Sequence, residues 1–212
     1  SGWGLTGNSG TVEGTNFIGT TDSQPLNFRV NNQKAGRIDA SLYNTFFGRE
    51  SGNLNTTGGS NTANGAYSLA SNTTGQRNTA VGVNTLVNSS TGDYNTAIGV
   101  WALNFNGSGS YNTAVGVDAI SNSTGNNNTA LGNLAGKNIT TGSNNTAIGN
   151  NAQVPSATTS NQIRIGDGNI TYAGVQVAWT VTSDKRWKSD IKQSNLGLDF
   201  IAALKPVSYF RK

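Results

Sequence analysis

Tyr94, Trp101, Phe105 and Tyr111 are the side chains in the middle of this chain best suited to holding a ligand. Tyr94 and Tyr111 lie 17 residues apart, and each stands immediately before an Asn-Thr-Ala triplet. A row of exposed aromatics on a neutral, hydroxyl-rich surface can dock the apolar face of a sugar ring; the same rings can instead pack on each other or across a seam between chains. Little else offers chemistry. The chain holds no Cys and no His, which removes disulfides, thiol chemistry, the common zinc sites and every His-based triad. No metal and no cofactor is expected. Asp93 and Asp118 are isolated rather than paired, so glycoside hydrolysis would lack its acid and base. Turnover of an external substrate is therefore not expected.

The elements that position these residues repeat. Asn-Thr-Ala, an aliphatic residue and Gly recur as Asn78 to Gly82, Asn95 to Gly99, Asn112 to Gly116, Asn128 to Gly132 and Asn145 to Gly149. Looser copies begin at Asn44 and Asn61, and a degenerate one at Asn161. The closing glycines step by 17 residues, once by 16, and a second glycine stands three residues before the Asn at Gly58, Gly75, Gly92, Gly109, Gly125 and Gly142. A short fixed period punctuated twice by glycine is the mark of a solenoid.

Within Thr79–Val83, alternation of period two sends Thr79, Val81 and Val83 to one side and Ala80 and Gly82 to the other. A second short apolar run follows in each copy, at Val83 to Leu86, Val100 to Leu103 and Val117 to Ile120. Each copy thus reads as one coil of two short strands and two polar turns, and parallel coils rise by about 4.8 Å each. Asn78, Asn95, Asn112, Asn128 and Asn145 fall in register, where stacked amides can hydrogen-bond as a ladder. A coil this small must finish burying its side chains against its neighbours. The small-residue stripe of Ala63, Ala80, Ala97, Ala114, Ala130 and Ala147 reads as a face for side-by-side assembly.

Composition agrees with a repetitive fibre. Charged residues are 11% and there are 28 Gly, unusual for a compact enzyme. The chain has no Met, which reads as a processed chain or an excised segment. The net charge of +4 comes from the end: residues 1–182 carry seven basic and seven acidic residues, whereas 183–212 carry seven and three. A nucleic-acid surface needs a basic stripe along the coils, and Arg49, Arg77, Lys137 and Arg164 are scattered, so no nucleic acid is expected as partner. No apolar stretch reaches membrane-spanning length, so no membrane insertion is expected.

The repeat divides the chain. Residues 1–40 lack it and read as short strands at Trp3 to Leu5, Asn16 to Gly19 and Leu26 to Val30, the last followed by a turn over Asn31 to Gly36 and a hairpin partner, a segment that caps or intertwines with the first coil. Residues 41–166 are the repeat domain of eight coils. Residues 167–182 read as a β neck, with strands at Asn169 to Tyr172 and Val175 to Val181. Residues 183–212 end in a short helix, with Leu198, Ile201 and Ala202 on one face, stopped before Pro206.

The Asn-Thr-Ala-Ile/Val-Gly coil resembles the head repeat of trimeric autotransporter adhesins, over residues 44–166. The resemblance implies a left-handed parallel β-roll built from three identical chains. That family usually has Val where Thr79, Thr96 and Thr113 stand, and a period shorter than 17.

Ser183-Asp184, Arg186, Lys188 and Ile191, followed by Leu198 to Ile201 and Leu204 to Val207, resemble the start of the intramolecular chaperone domain of phage tail fibres and tailspikes, the S74 peptidase family. That domain trimerises, drives assembly of the fibre before it and then cuts itself off. Carried over, the resemblance makes Ser183 the nucleophile and Lys188 its dyad partner, cutting after Thr182. A Lys can act as the base where burial or neighbouring cations such as Lys185 and Arg186 depress its pKa. On local sequence Ser183 is also an ordinary helix N-cap. Family domains continue well past the equivalent of Lys212, so little or no cleavage is expected of this chain.

The expectation is an all-β homotrimeric fibre: a parallel β-roll of about 17-residue coils followed by the start of a helical chaperone domain. It would be extracellular, on the tail of a phage or of a phage-derived contractile injection particle. Its expected partners are itself, tail or baseplate components, and a glycan or protein on a target-cell surface. The alternative is a bacterial surface trimeric adhesin.

Overall fold

A computed structural model describes residues 4, 6–12 and 14–174. Its order begins with a hairpin. β1 (Leu26–Val30) and β2 (Gln33–Asp39) pair antiparallel across a two-residue turn at Asn31 and Asn32. Both turn residues take left-handed φ, 48° and 58°, which Asn tolerates better than most residues and which matches the twist of a hairpin. The turn is tighter than the sequence suggests, because β2 already begins at Gln33. β2 then pairs antiparallel with β3 (Asn44–Phe47), closing one edge of the stack.

From β3 onward every pairing is parallel. β4 (Thr62–Asn64), β5 (Thr79–Val81), β6 (Thr96–Ile98), β7 (Thr113–Val115), β8 (Thr129–Leu131), β9 (Thr146–Ile148) and β10 (Ile163–Ile165) follow in simple order, giving a ten-stranded sheet with no crossover. Register follows the repeat: Ala80 lies beside Ala97, and Ala97 beside Ala114. The chain is a parallel β-solenoid of about 17-residue coils, as the period requires.

Each coil contains one short strand, of three residues from β4 onward, not two strands. The second apolar run takes turn conformation, because two of its residues sit in the left-handed region: Asn84 and Leu86 (φ 55° and 51°), Trp101 and Leu103 (60° and 49°), Asp118 and Ile120 (56° and 43°). Two left-handed residues within three bend the backbone too sharply for a strand. The bend turns Leu69, Leu86, Leu103 and Ile120 into the coil, where each is fully buried. Burial of one such side chain is worth roughly 1.5–3 kcal/mol.

That column of large side chains is completed from elsewhere at its ends. Gly52 and Gly136 hold the same coil position, with φ of 55° and 60°. A side chain at Gly52 would strike the ring of Phe46, and one at Gly136 would press on Ile139. Phe46 and Ile139 therefore fill the volume that Leu69 to Ile120 fill in the coils between, and both are buried.

The alanine stripe is interior. Ala63, Ala80, Ala97, Ala114, Ala130 and Ala147 are at most 1% exposed and belong to the same apolar core as Leu86 and Leu103. It is not an assembly face: a coil this narrow has room for only a methyl group opposite the leucine column. The face turned outward carries the aliphatic neighbours, Val81, Ile98, Leu131, Ile148 and Ile165, all exposed.

Other expectations also change. Asn16 to Gly19 and Asn169 to Tyr172 form no strand; at the latter, Asn169 N–H closes a turn onto Asp167 Oδ1 at 2.8 Å. The expected strand at Val175 to Val181, the helix before Pro206, and Ser183 and Lys188 lie outside the described residues, as does most of the segment Trp3 to Leu5.

Candidate ligand and assembly surfaces

The solenoid presents its repeat positions as columns, and each column has one chemical job. The signature asparagines are buried in register and work as staples. Asn78 Oδ1 accepts the N–H of Asn95 at 2.9 Å, and Asn78 Nδ2 donates to the carbonyl of Gly92 at 2.8 Å. Asn95 repeats the pattern with Asn112 and Gly109, and Asn112 with Asn128 and Gly125. Asn128 donates to Gly142, and Asn145 Oδ1 accepts from Gln162. The ladder runs mainly from side chain to backbone rather than from amide to amide, because the backbone groups at the coil corners are the ones otherwise left buried without a partner.

Gly82, Gly99, Gly116, Gly132 and Gly149 form the second column. Their φ values of 115–137° are open only to glycine at low cost. A Cβ at Gly82 would lie 2.6 Å from the carbonyl oxygen of Gly99 in the next coil. Close stacking of backbone on backbone, as well as the turn, fixes these positions.

The structure brings two of the four candidate aromatics together. Tyr94 and Tyr111 stack with ring centres 4.9 Å apart and planes within 7°. Arg77 extends the column: its guanidinium lies 5.1 Å from the centre of the Tyr94 ring, and Nη1 donates to the Tyr94 hydroxyl at 2.7 Å. The sequence reading counts Arg77 only among scattered cations, although it holds the same place before its Asn as the two tyrosines. Trp101 and Phe105 are exposed and belong to neither of the two aromatic pairs found among the described residues. Trp101 stands beyond β6, after its closing glycine, whereas Tyr94 stands before it.

Beside the aromatic column runs another that sequence reading missed. Asp93 Oδ1 accepts the N–H of Gln76 at 2.7 Å, Ser110 Oγ that of Asp93 at 3.0 Å, and Asn126 Oδ1 that of Ser110 at 2.8 Å. Ser143 and Ser160 continue it. The signal was an Asp, Ser or Asn two residues before Asn95, Asn112, Asn128 and Asn145. Asp93 is thus tied to a backbone amide, and Asp118 pairs with Lys137 at 3.2 Å, so each carboxylate is engaged.

A depression of about 330 Å³ opens where the hairpin meets the first coil, lined by Val30, Asn31, Gln33, Lys34 and Arg49 among others. Lys34 serves the fold: its Nζ donates to the carbonyl of Gly52 at 2.9 Å, and burial, with the charge of Arg37, pushes its pKa down. Nearby, Asp39 takes hydrogen bonds from the Ser41 hydroxyl (2.6 Å) and the Leu42 N–H (3.3 Å) and pairs with Arg37 at 2.6 Å. Burial pushes its carboxyl up, but these bonds and the Arg37 charge outweigh burial and hold it below the usual carboxylate range. Among the described residues no cluster of His, Cys, Asp or Glu could hold a metal ion.

No family model, curated protein or solved structure matches this chain.

Proposed function

We propose that this chain is a segment of a homotrimeric fibre that attaches a particle to a target-cell surface, structural and adhesive rather than enzymatic. The observation that carries this reading is the outward aliphatic column. Val81, Ile98, Val115, Leu131, Ile148 and Ile165 hold one position in successive coils, and all but the partly buried Val115 are exposed. Val83, Val100 and Val117 run beside them, also exposed. Contiguous apolar surface of this extent marks an interaction site. A partner that covers it must be apolar with the same step over the same length, and further copies of this chain in parallel register meet that requirement. The number three comes from the resemblance to trimeric adhesin heads.

Placement on the tail of a phage or phage-derived injection particle, rather than on a bacterial surface, rests on the chaperone-like residues 183–212. The same resemblance makes Ser183 and Lys188 a self-cleavage dyad acting once in assembly. The deciding experiment is the solution mass by light scattering coupled to size exclusion. Three chain masses support the fibre. A well-folded monomer would overturn it, since the aliphatic column would then stand in water without a partner.

A further inference from the structure

Arg77, Tyr94 and Tyr111 precede the signature Asn in three successive coils with nearly the same φ, 55°, 56° and 60°. One backbone conformation repeated at the strand spacing sets their flat groups in a stack along the solenoid axis. Arg77 covers one face of Tyr94 and Tyr111 the other. In the next coil the position is Asn127, with φ of 57°, and then come Asn144 and Asn161. The stack therefore ends at Tyr111. One face of its ring rests on Tyr94, no further aromatic or cation caps the other among the described residues, and Tyr111 is 56% exposed.

We propose that the open face of Tyr111, above Asn127, docks one pyranose ring of a neutral glycan. The inference rests on the reading of this chain as an attachment fibre and names the ligand class and the ring that would take it. Asn127 carries a side chain too short to continue the stack, which leaves a notch one coil high beside an aromatic face. A pyranose presents a patch of C–H groups on one face and hydroxyls around its rim, and its thickness is close to the 4.9 Å step of the stack. The apolar patch settles on the tyrosine ring. The rim meets neutral groups: Asn126, Asn127, Ser143 and Asn144 follow in the repeat order. The side-chain amide of Asn127 makes no hydrogen bond among the described residues, whereas Asn126 Oδ1 and Ser143 Oγ already accept backbone N–H groups and Asn144 Nδ2 donates to Asn161. Arg77 is spent at the far end of the stack, bonded to the Tyr94 hydroxyl, and among the described residues no cation lies over the Tyr111 ring to meet a carboxylate or sulfate. This selects neutral over acidic sugars. Trp101, Phe105 and the inner ring face of Tyr94 are not part of the site.

Saturation-transfer difference NMR on the full chain tests this, with the methyl glycosides of galactose, glucose and mannose, and of sialic acid as the acidic comparison, each at tens of millimolar. At least one neutral pyranoside should receive saturation on its ring C–H protons, and the sialoside should receive none. Asn127→Tyr adds the missing layer at a backbone conformation that Tyr94 and Tyr111 already tolerate, and should weaken binding by about tenfold or more. Tyr111→Ser should do the same from the other side of the notch, whereas Tyr111→Phe should bind like the parent. Saturation absent from every neutral pyranoside, or unchanged in both Asn127→Tyr and Tyr111→Ser, would overturn the proposal. Light scattering on the same samples separates the two readings. A trimer without sugar contact ends the docking site and leaves the fibre, and a monomer with sugar contact does the reverse.

Discussion

The side-chain oxygen of Asn78 accepts the backbone N–H of Asn95, one coil on, at 2.9 Å, while the nitrogen of the same amide donates to Gly92 within its own coil at 2.8 Å. One fully buried side chain thus closes its own coil and fastens the next. Asn78→Ala leaves a buried N–H and a buried carbonyl without partners, at a cost of about 3 kcal/mol. Asn78→Asp should be worse, because it keeps the acceptor but sets a carboxylate against the Gly92 carbonyl. Urea unfolding of both variants measures the difference.

Gly99→Ala places a Cβ against the carbonyl of Gly116 on a backbone with φ of 132°, and should cost at least about 2 kcal/mol. Gly107→Ala makes a useful contrast. Its φ is 58°, and its Cβ would meet only the methyl carbon of Thr124, at 3.5 Å. The penalty there should be about 1 kcal/mol, backbone strain alone. Thermal melts of the pair separate crowding from conformation.

Ile120 is a β-branched residue held at φ 43°, where Leu103 sits in the preceding coil at 49°. The branched Cβ is the costlier occupant of that backbone region. Ile120→Leu should therefore raise stability by up to about 1 kcal/mol, with the column volume conserved. Leu86→Ala in the same column should lose about 2–5 kcal/mol. A fall in stability of Ile120→Leu would mean that packing, not backbone strain, governs the site.

Asp39 is held below the usual carboxylate range in the folded state. A depressed acid contributes stability above its unfolded pKa of about 3.9 and loses it as pH falls through the lower folded value. Melting temperature should accordingly decline below about pH 4. Asp39→Asn should flatten that decline while lowering stability at neutral pH, because Arg37 then loses its charge partner.

Ile98→Lys together with Ile148→Lys places two charges on the outward column without touching the buried core. On the fibre reading the variant should stay folded by circular dichroism while its mass falls from three chains to one. Retained assembly in the double variant would move the seam to another face.

The period, the parallel stack and the register of the asparagines were legible because each leaves a mark at fixed spacing; that the asparagines are buried and bond mainly to backbone was not. Alternation over Thr79, Ala80 and Val81 also gave the correct strand and the correct sidedness. Alternation does not say which side is inside. Ala80 and Val81 are both apolar, and the choice was made by the width of the coil, which admits a methyl opposite Leu86 and turns the larger valine outward. The run from Val83 to Leu86 misled for a related reason: its apolar residues suit a strand, and only the left-handed turns at Asn84 and Leu86 reveal a corner.

The candidate site divides the same way. Spacing placed Tyr94 and Tyr111 on neighbouring coils, since a 17-residue step stacks whatever occupies one position. That Arg77 covers Tyr94, and that among the described residues Trp101 and Phe105 join no aromatic pair and nothing aromatic or cationic covers the outer face of Tyr111, were decided by the tertiary structure. These depend on the direction in which each corner throws its side chain, which is set by φ values and by neighbours a whole coil away. Local sequence carries the repeat; contacts between coils carry the surface.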